Sequence, residues 1–387
     1  MPLPPFPSWV SDLRVVDSLP WDRALAFLRE LTPEDRVAVL YDEDGDGLSA
    51  AACVIRGVES LTGRSPDIIS GFERSNDYIS DSLPGQLVRE RVTKIITVDK
   101  SVDQKGLSFM HALESVAPVL VIDHHKVITP YQSDRFVLVK PQLVWDTEPS
   151  SFPTAILAYT LMSGVCDLSS SDWVPCIGIT SDSAYPRWKG FVDSIREKWG
   201  LSPIPEDDPF RGPFGVLSGM IYATQVLSPY QLSELLELLA ESDHPQKVLD
   251  SGFKSLSGIL EDEVAYWMKR LETEISIEPE IELVVAKVHP KHGIKSLLIN
   301  RLSRERFPDK NLLLMQDLGD VRVLISARRQ DFKVPMNDLM EQAIVGLPDA
   351  TGGGHIPAAA ASIRKEDEEK FLANVRRILL AELPNDR

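Results

Sequence analysis

Cysteine is nearly missing from this chain: Cys53, Cys166 and Cys176 are the three present among 387 residues. Their wide spacing forms no metal-binding pair and excludes a disulfide framework. A reducing cytosol is the expected compartment. Basic excess is missing too, because 58 acidic residues face 41 lysines and arginines, a net charge of −17. That balance weighs against a long nucleic-acid footprint built from phosphate contacts alone. From Ile275 onward bases and acids balance at 17 each, so the whole deficit falls on the first 274 residues. No apolar run approaches the length of a bilayer span, and the opening MPLPPFPSWV has neither a basic leader nor an apolar signal core. These absences predict a soluble, cytoplasmic protein with no membrane partner.

What is present is a set of acidic and imidazole clusters. A length of 387 residues with 43% hydrophobic residues predicts two domains. The first 185 residues alternate short apolar runs with helical patterns, the signature of an α/β domain with a mostly parallel sheet. The runs RVAVLY (36–41), DIIS (67–70), KIITVD (94–99) and VLVID (119–123) read as strands. At or just past the ends of three of them stand Asp42-x-Asp44-x-Asp46-Gly47, Asp99, and Asp123-His124-His125. Open parallel sheets place their ligand crevice at those ends. Asp182 follows VPCIGIT, whose helix or strand character periodicity leaves open. Residues 183–215, rich in Pro, Gly and charge, read as an irregular excursion. Residues 216–274 read as mostly helical. IELVVAKV, NLLLMQDL and VRVLISAR then read as strands and EEKFLANVRRILLAEL as a closing helix, a second, smaller α/β domain. The expected division is 1–253, including a helical and irregular segment over about 183–253, then a connector helix at 254–274, then 275–387. The basic segment 291–310 reads as a solvated helix face rather than a phosphate-facing surface.

Three carboxylates in one tight loop repel one another, so Asp42, Asp44 and Asp46 call for a cation. A calcium-binding EF-hand shares D-x-D-x-D-G but needs a preceding helix and a Glu at loop position twelve, where this chain has Cys53. An exposed turn is the other alternative for the triplet alone. Two adjacent imidazoles after a strand-terminal Asp shift the balance: one can ligate a metal while the other faces an anion. Asp99 and Asp182, each alone, read as turn or cap residues.

The ordered set DEDGDGLSAA, TVDKSVD, VIDHHK and GITSDS resembles the four motifs of the DHH phosphoesterase superfamily. ATGGGHIPAAAAS resembles the glycine-rich signature of its C-terminal DHH-associated domain. The resemblance covers nearly the whole chain and is of the RecJ-like or oligonucleotide phosphodiesterase type. It implies an active site in the interdomain cleft with two divalent cations, Mn2+ or Mg2+. Asp44 and Asp99 would hold one metal, with Asp42 standing in for a frequent histidine ligand. Asp46, Asp99, His124 and Asp182 would hold the other, with Asp99 bridging and Asp123 acting behind the ligands. His125 would meet the scissile phosphate. Arg328 would grip substrate phosphate, and Gly352, Gly353, Gly354 and His355 would form an anion and substrate loop. Relatives carry a glycine where this chain has Ala360, a costly change if the position needs positive φ and a mild one if it needs only smallness.

The function implied is two-metal phosphodiester hydrolysis of short single-stranded oligonucleotides from an end, since the chain is too short for the further nucleic-acid-binding domain of large RecJ enzymes. A cyclic dinucleotide or a 3′,5′-bisphosphate is the alternative substrate. A catalytically degenerate scaffold that binds nucleic acid or a replication partner is the alternative from another class. A homodimer is compatible with the sequence.

Overall fold

Strand-forming β-branched runs separated by small-residue helices build the first of two compact units, Met1–Ser257 and Gly258–Arg387. The computed structural model describes residues 8–72, 80–206, 208–319 and 321–382. In the first unit β1 (Val37–Asp42), β2 (Ile68–Phe72), β3 (Lys94–Val98), β4 (Val119–Ile122) and β5 (Phe136–Val139) form one sheet in the order β2-β1-β3-β4-β5. Every pairing in it is parallel, with Val39 between Ile69 and Ile96. Alternation sends Val37, Val39 and Tyr41 into one core and Ala38 and Leu40 into the core on the other face. Each fully buried Val, Leu or Ile in these layers contributes roughly 1.5–3 kcal/mol.

The chain runs from β1 outward to β2, then crosses back so that β3 lies on the other side of β1. The sheet therefore has its switch point between β1 and β3, where an open parallel sheet leaves a crevice at its C-terminal edge. Helix Gly45–Thr62 leaves β1 there. Its small residues Ala50, Ala51 and Gly57 admit close packing by helices Thr154–Ser163 and Val174–Ser181, and Gly63 closes it in the left-handed conformation at φ 76°.

VPCIGIT is helical, within Val174–Ser181. Residues 183–215 are not irregular throughout: Tyr185–Lys198 is a helix that buries Tyr185, Trp188, Val192 and Ile195. Its proline lies in the first turn, where a missing N–H costs nothing. β5 is a further strand, beyond those expected from the sequence.

The second unit is a six-stranded mixed sheet, ordered β10-β11-β9-β8-β7-β6. Its strands are β6 (Ile275–Glu278), β7 (Leu283–Val288), β8 (Asn311–Leu318), β9 (Arg322–Arg328), β10 (Thr351–His355) and β11 (Ala358–Arg364). Ala327, Ala359, Ala361 and Ile363 share a core with Met336 and Met340 of helix Met336–Ala343 and Phe371 of helix Glu368–Glu382. Helix Lys295–Glu305 packs against β8 and β9. The alanine-rich β11 carries little intrinsic strand propensity and β10 has three glycines, so neither announces itself by pattern. No helix among the described residues is long and apolar enough to cross a membrane.

Candidate metal centre

The switch point gathers the acidic motifs. Asp42 ends β1, and Asp44 caps the next helix, its Oδ1 accepting the N–H groups of Asp46 and Gly47 at 3.0 Å each. Asp46 is fully buried in that helix's first turn. Asp99, just beyond β3, is held at φ 58°, a left-handed backbone that few non-glycine residues adopt. Asp182 caps helix Val174–Ser181.

Donor atoms of Asp42, Asp44 and Asp99 lie within 4.8 Å of one another, as do those of Asp46, His124 and Asp182. His124 Nε2 joins the two groups, 3.2 Å from Asp182 Oδ2, 3.6 Å from Asp99 Oδ1 and 4.0 Å from Asp46 Oδ2. A third set, Asp99, His124 and His125, overlaps both, so the sequence-derived ligands converge around Asp99 and His124. Lys100 Nζ also stands 3.6 Å from Asp42 Oδ1, beside the position where relatives often use histidine.

Electrostatics in the cluster favour cations. Burial, followed by the charge of Asp44, pushes the Asp46 carboxyl up to about 7 against two backbone hydrogen bonds that favour its anion. Asp99 is raised well above the usual carboxylate range by burial and then by Asp46, Asp44, Asp182 and Asp123. Asp182 is raised by burial and by Asp46 and Asp44. His124 is pushed down to about 4 by burial and by His125, which leaves its ring neutral and able to ligate. Carboxylate oxygens with one imidazole suit Mn2+ or Mg2+ better than softer ions. The residues therefore fit a hard divalent cation.

Several supports were missed from sequence. Thr154 N–H donates to Asp46 Oδ2 at 2.6 Å and Ala155 N–H to Asp46 Oδ1 at 2.9 Å, so one helix N-terminus fixes both oxygens. The Thr154 hydroxyl donates to Asp99 Oδ1 at 2.8 Å. Gly178 is needed because a Cβ there would fall 2.3 Å from Asp46 Oδ1. The run SFPTAIL, a proline before a small-residue helix, was the available signal. Asp123 and His125 stand beside the cluster, His125 Nδ1 lying 2.7 Å from Asp123 Oδ1. Burial works against the His125 imidazolium, but the hydrogen bond and charge of Asp123 raise it above its ordinary value.

In the second unit, Arg328 ends β9, where its Nε donates to Asn300 Oδ1 at 2.9 Å. Burial and Arg304 hold its guanidinium down at about 10. Lys295 is held at about 8 by burial and by Arg328, so this end of the helix is not simply a solvated face. Arg301, Arg306 and Lys310 do form ion pairs with acids at the surface. Arg329 is buried and tied to Asp331, Glu282 and Asn311. Gly352, Gly353 and Gly354 lie in β10, a strand rather than a loop, paired with Ala361, Ala360 and Ala359. Register aligns His355 with Ala358 and Ala358 with Arg328; the His355 side chain lies outside the described parts. Ala360 sits in an extended strand opposite Gly353 and Ser326 and not among the positive-φ residues, so the alanine is the mild case.

A parallel sheet with carboxylates at its switch point, followed by a smaller mixed-sheet unit, defines the RecJ-like DHH fold. Residues 282–381 match the family model of the DHHA1 domain. It is similar to RecJ in complex with Mn2+ from Thermus thermophilus, at TM-score 0.66 and 18% identity over 98% of this chain. The chain spans 56% of that protein's length. A second similar structure is an exonuclease RecJ bound to manganese, at TM-score 0.65 and 19% identity, covering 94% of this chain and 95% of that one. A DHH domain described as belonging to a family of ribosomal proteins superposes at TM-score 0.71 with 14% identity, over 93% of this chain and 90% of that one. At these identities the likeness is one of fold. No curated protein matches the chain by sequence.

Proposed function

We propose that the protein is a metal-dependent phosphodiesterase that trims short single-stranded oligonucleotides from an end. The observation that carries this reading is the adjacency of two donor sets, Asp42/Asp44/Asp99 and Asp46/His124/Asp182, with His124 Nε2 3.6 Å from Asp99 Oδ1. Mn2+ or Mg2+ bound there would activate water and neutralise phosphate charge. The chain's own residues do the rest. Thr154 and Ala155 hold Asp46, and Asp123 aims His125, which meets the scissile phosphate and stabilises charge on its oxygens. Arg328 grips a substrate phosphate, for which a guanidinium fork is suited, and the Gly352–Gly354 backbone takes part in holding substrate. The acidic first 274 residues support a short substrate over a long track of phosphate contacts.

A manganese-supplemented assay tests the reading, comparing 5′- and 3′-labelled oligonucleotides of graded length with cyclic dinucleotides and 3′,5′-bisphosphates. Cleavage of the shortest strands, abolished by Asp99→Ala, is the expected result. Activity that rises steadily with strand length defeats the short-substrate assignment. Hydrolysis of none of these compounds defeats the enzyme assignment in favour of a scaffold.

A further inference from the structure

Lys140, directly after β5, is fully buried among groups drawn from two of the acidic motifs. Its Nζ lies 2.8 Å from Asp123 Oδ2 and 2.9 Å from Asp103 Oδ1, and it donates to the Lys126 carbonyl at 3.2 Å. An ammonium has three donors, which go to Asp103 Oδ1, the Lys126 carbonyl and, at 3.4 Å, the Ser101 hydroxyl, while Asp123 Oδ2 is its ion-pair partner. Both carboxylates are themselves fully buried. Without the lysine they would be two desolvated anions side by side, a strongly unfavourable arrangement.

We propose that Lys140 is a positioning residue: through Asp123 it fixes the ring orientation and tautomer of His125 at the metal centre. The link runs through few atoms. Asp123 Oδ2 is occupied by Lys140 and by the Ser101 hydroxyl at 3.0 Å, which prevents the carboxylate from rotating. Its Oδ1 is thereby aimed at His125, taking the backbone N–H at 3.2 Å and facing ring Nδ1 at 2.7 Å. An anion at that distance requires the proton on Nδ1. The same ammonium steadies the following segment, because Asp103 Oδ2 accepts the N–H groups of Ile128 and Thr129 at 2.8 and 3.3 Å. Lys140 therefore ties the Asp99 motif, the Asp123-His124-His125 motif and the end of β5 into one unit. The role assigned to His125 rests on the phosphoesterase reading; its orientation by Lys140 does not.

The test compares Lys140→Met/Asp103→Asn with Asp103→Asn, both in the full chain with Mg2+. Lys140→Met alone leaves two facing anions and is expected to fold poorly. The double variant removes one cation and one anion together and keeps the buried charge unchanged. Side-chain 15N spectra of the seven histidines give the readout, with His125 assigned by its loss in His125→Gln. In the unsubstituted protein His125 is expected to carry its proton on Nδ1, and an Nε2–H tautomer there overturns the proposal at once. The His125 signal is expected to move in the double variant and stay in place in Asp103→Asn. With substrate, kcat should fall about 10–100-fold in the double variant, the range for partners behind a ligand shell, with KM changed far less. An unmoved His125 signal in the folded double variant overturns the proposal. The spectra need no substrate, so a protein that hydrolyses nothing but shows the tautomer and the shift counts against the enzyme reading and leaves the positioning role standing.

Discussion

At the scale of single residues the centre is a balance of charge that a cation would complete. Asp99 shares one donor set with Asp42 and Asp44 and another with His124 and His125, so Asp99→Ala is expected to weaken Mn2+ binding and reduce hydrolysis to background, checked by Mn2+ titration followed by electron paramagnetic resonance. The acids also set a pH dependence. Asp46 lies at about 7 against an ordinary 3.8, so it supports the fold while protonated and withdraws that support as pH rises from about 4 to about 7. Asp99 and Asp182 act in the same sense. His124, held at about 4, acts in the other: its support is complete above its ordinary 6.5 and is lost as pH falls toward 4. Metal binding needs ionised carboxylates and a neutral ring, both favoured at higher pH. Mn2+ is therefore expected to raise the melting temperature more at about pH 7.5 than at about pH 5. Equal shifts in scanning fluorimetry would count against these assignments. The two arginines of LISARR should separate cleanly. Arg328→Ala should raise KM with the melting temperature held, whereas Arg329→Ala should cost on the order of 1–3 kcal/mol in denaturant unfolding, because the buried Asn311 side chain loses its donor.

At the scale of elements, the acidic motifs work because strands and helices deliver them to one edge. β1 and β3 supply Asp42 and Asp99 from the two sides of the switch point, and the N-terminus of helix Thr154–Ser163 supplies the donors that orient Asp46. Thr154→Val removes a hydroxyl from Asp99 while keeping volume nearly constant. It is expected to weaken Mn2+ binding about 10–100-fold by calorimetry with little change in circular dichroism; unchanged affinity would argue that Asp99 needs no such support. The first four strands were legible because their apolar runs are long and end in charge. Helix Tyr185–Lys198 was not, since proline, glycine and charge mark loops as readily as a helix whose proline sits in its first turn. β10 and β11 were illegible for a different reason. Glycine and alanine carry no hydrophobic alternation, and only pairing with β9 makes them strands.

At the scale of the molecule, each unit encloses its own apolar core, and every candidate metal ligand lies in the first. Mn2+ is accordingly expected to slow amide exchange within residues 1–257, at the ends of β1, β3 and β4, and to leave the DHHA1 unit unchanged. Exchange measured with and without Mn2+ checks this, and equal slowing in the second unit would count against it. The sequence by itself determined that acids and imidazoles follow apolar strands in a set order, because charge and hydrophobic period are local properties of neighbouring residues. Only the tertiary structure decided that Asp42, Asp99, His124 and Asp182 share one crevice, that Thr154 and Ala155 hold Asp46, and that Lys140 braces Asp123. Those contacts join residues tens of positions apart, and the crossing of the chain at the switch point is what brings them within hydrogen-bond range.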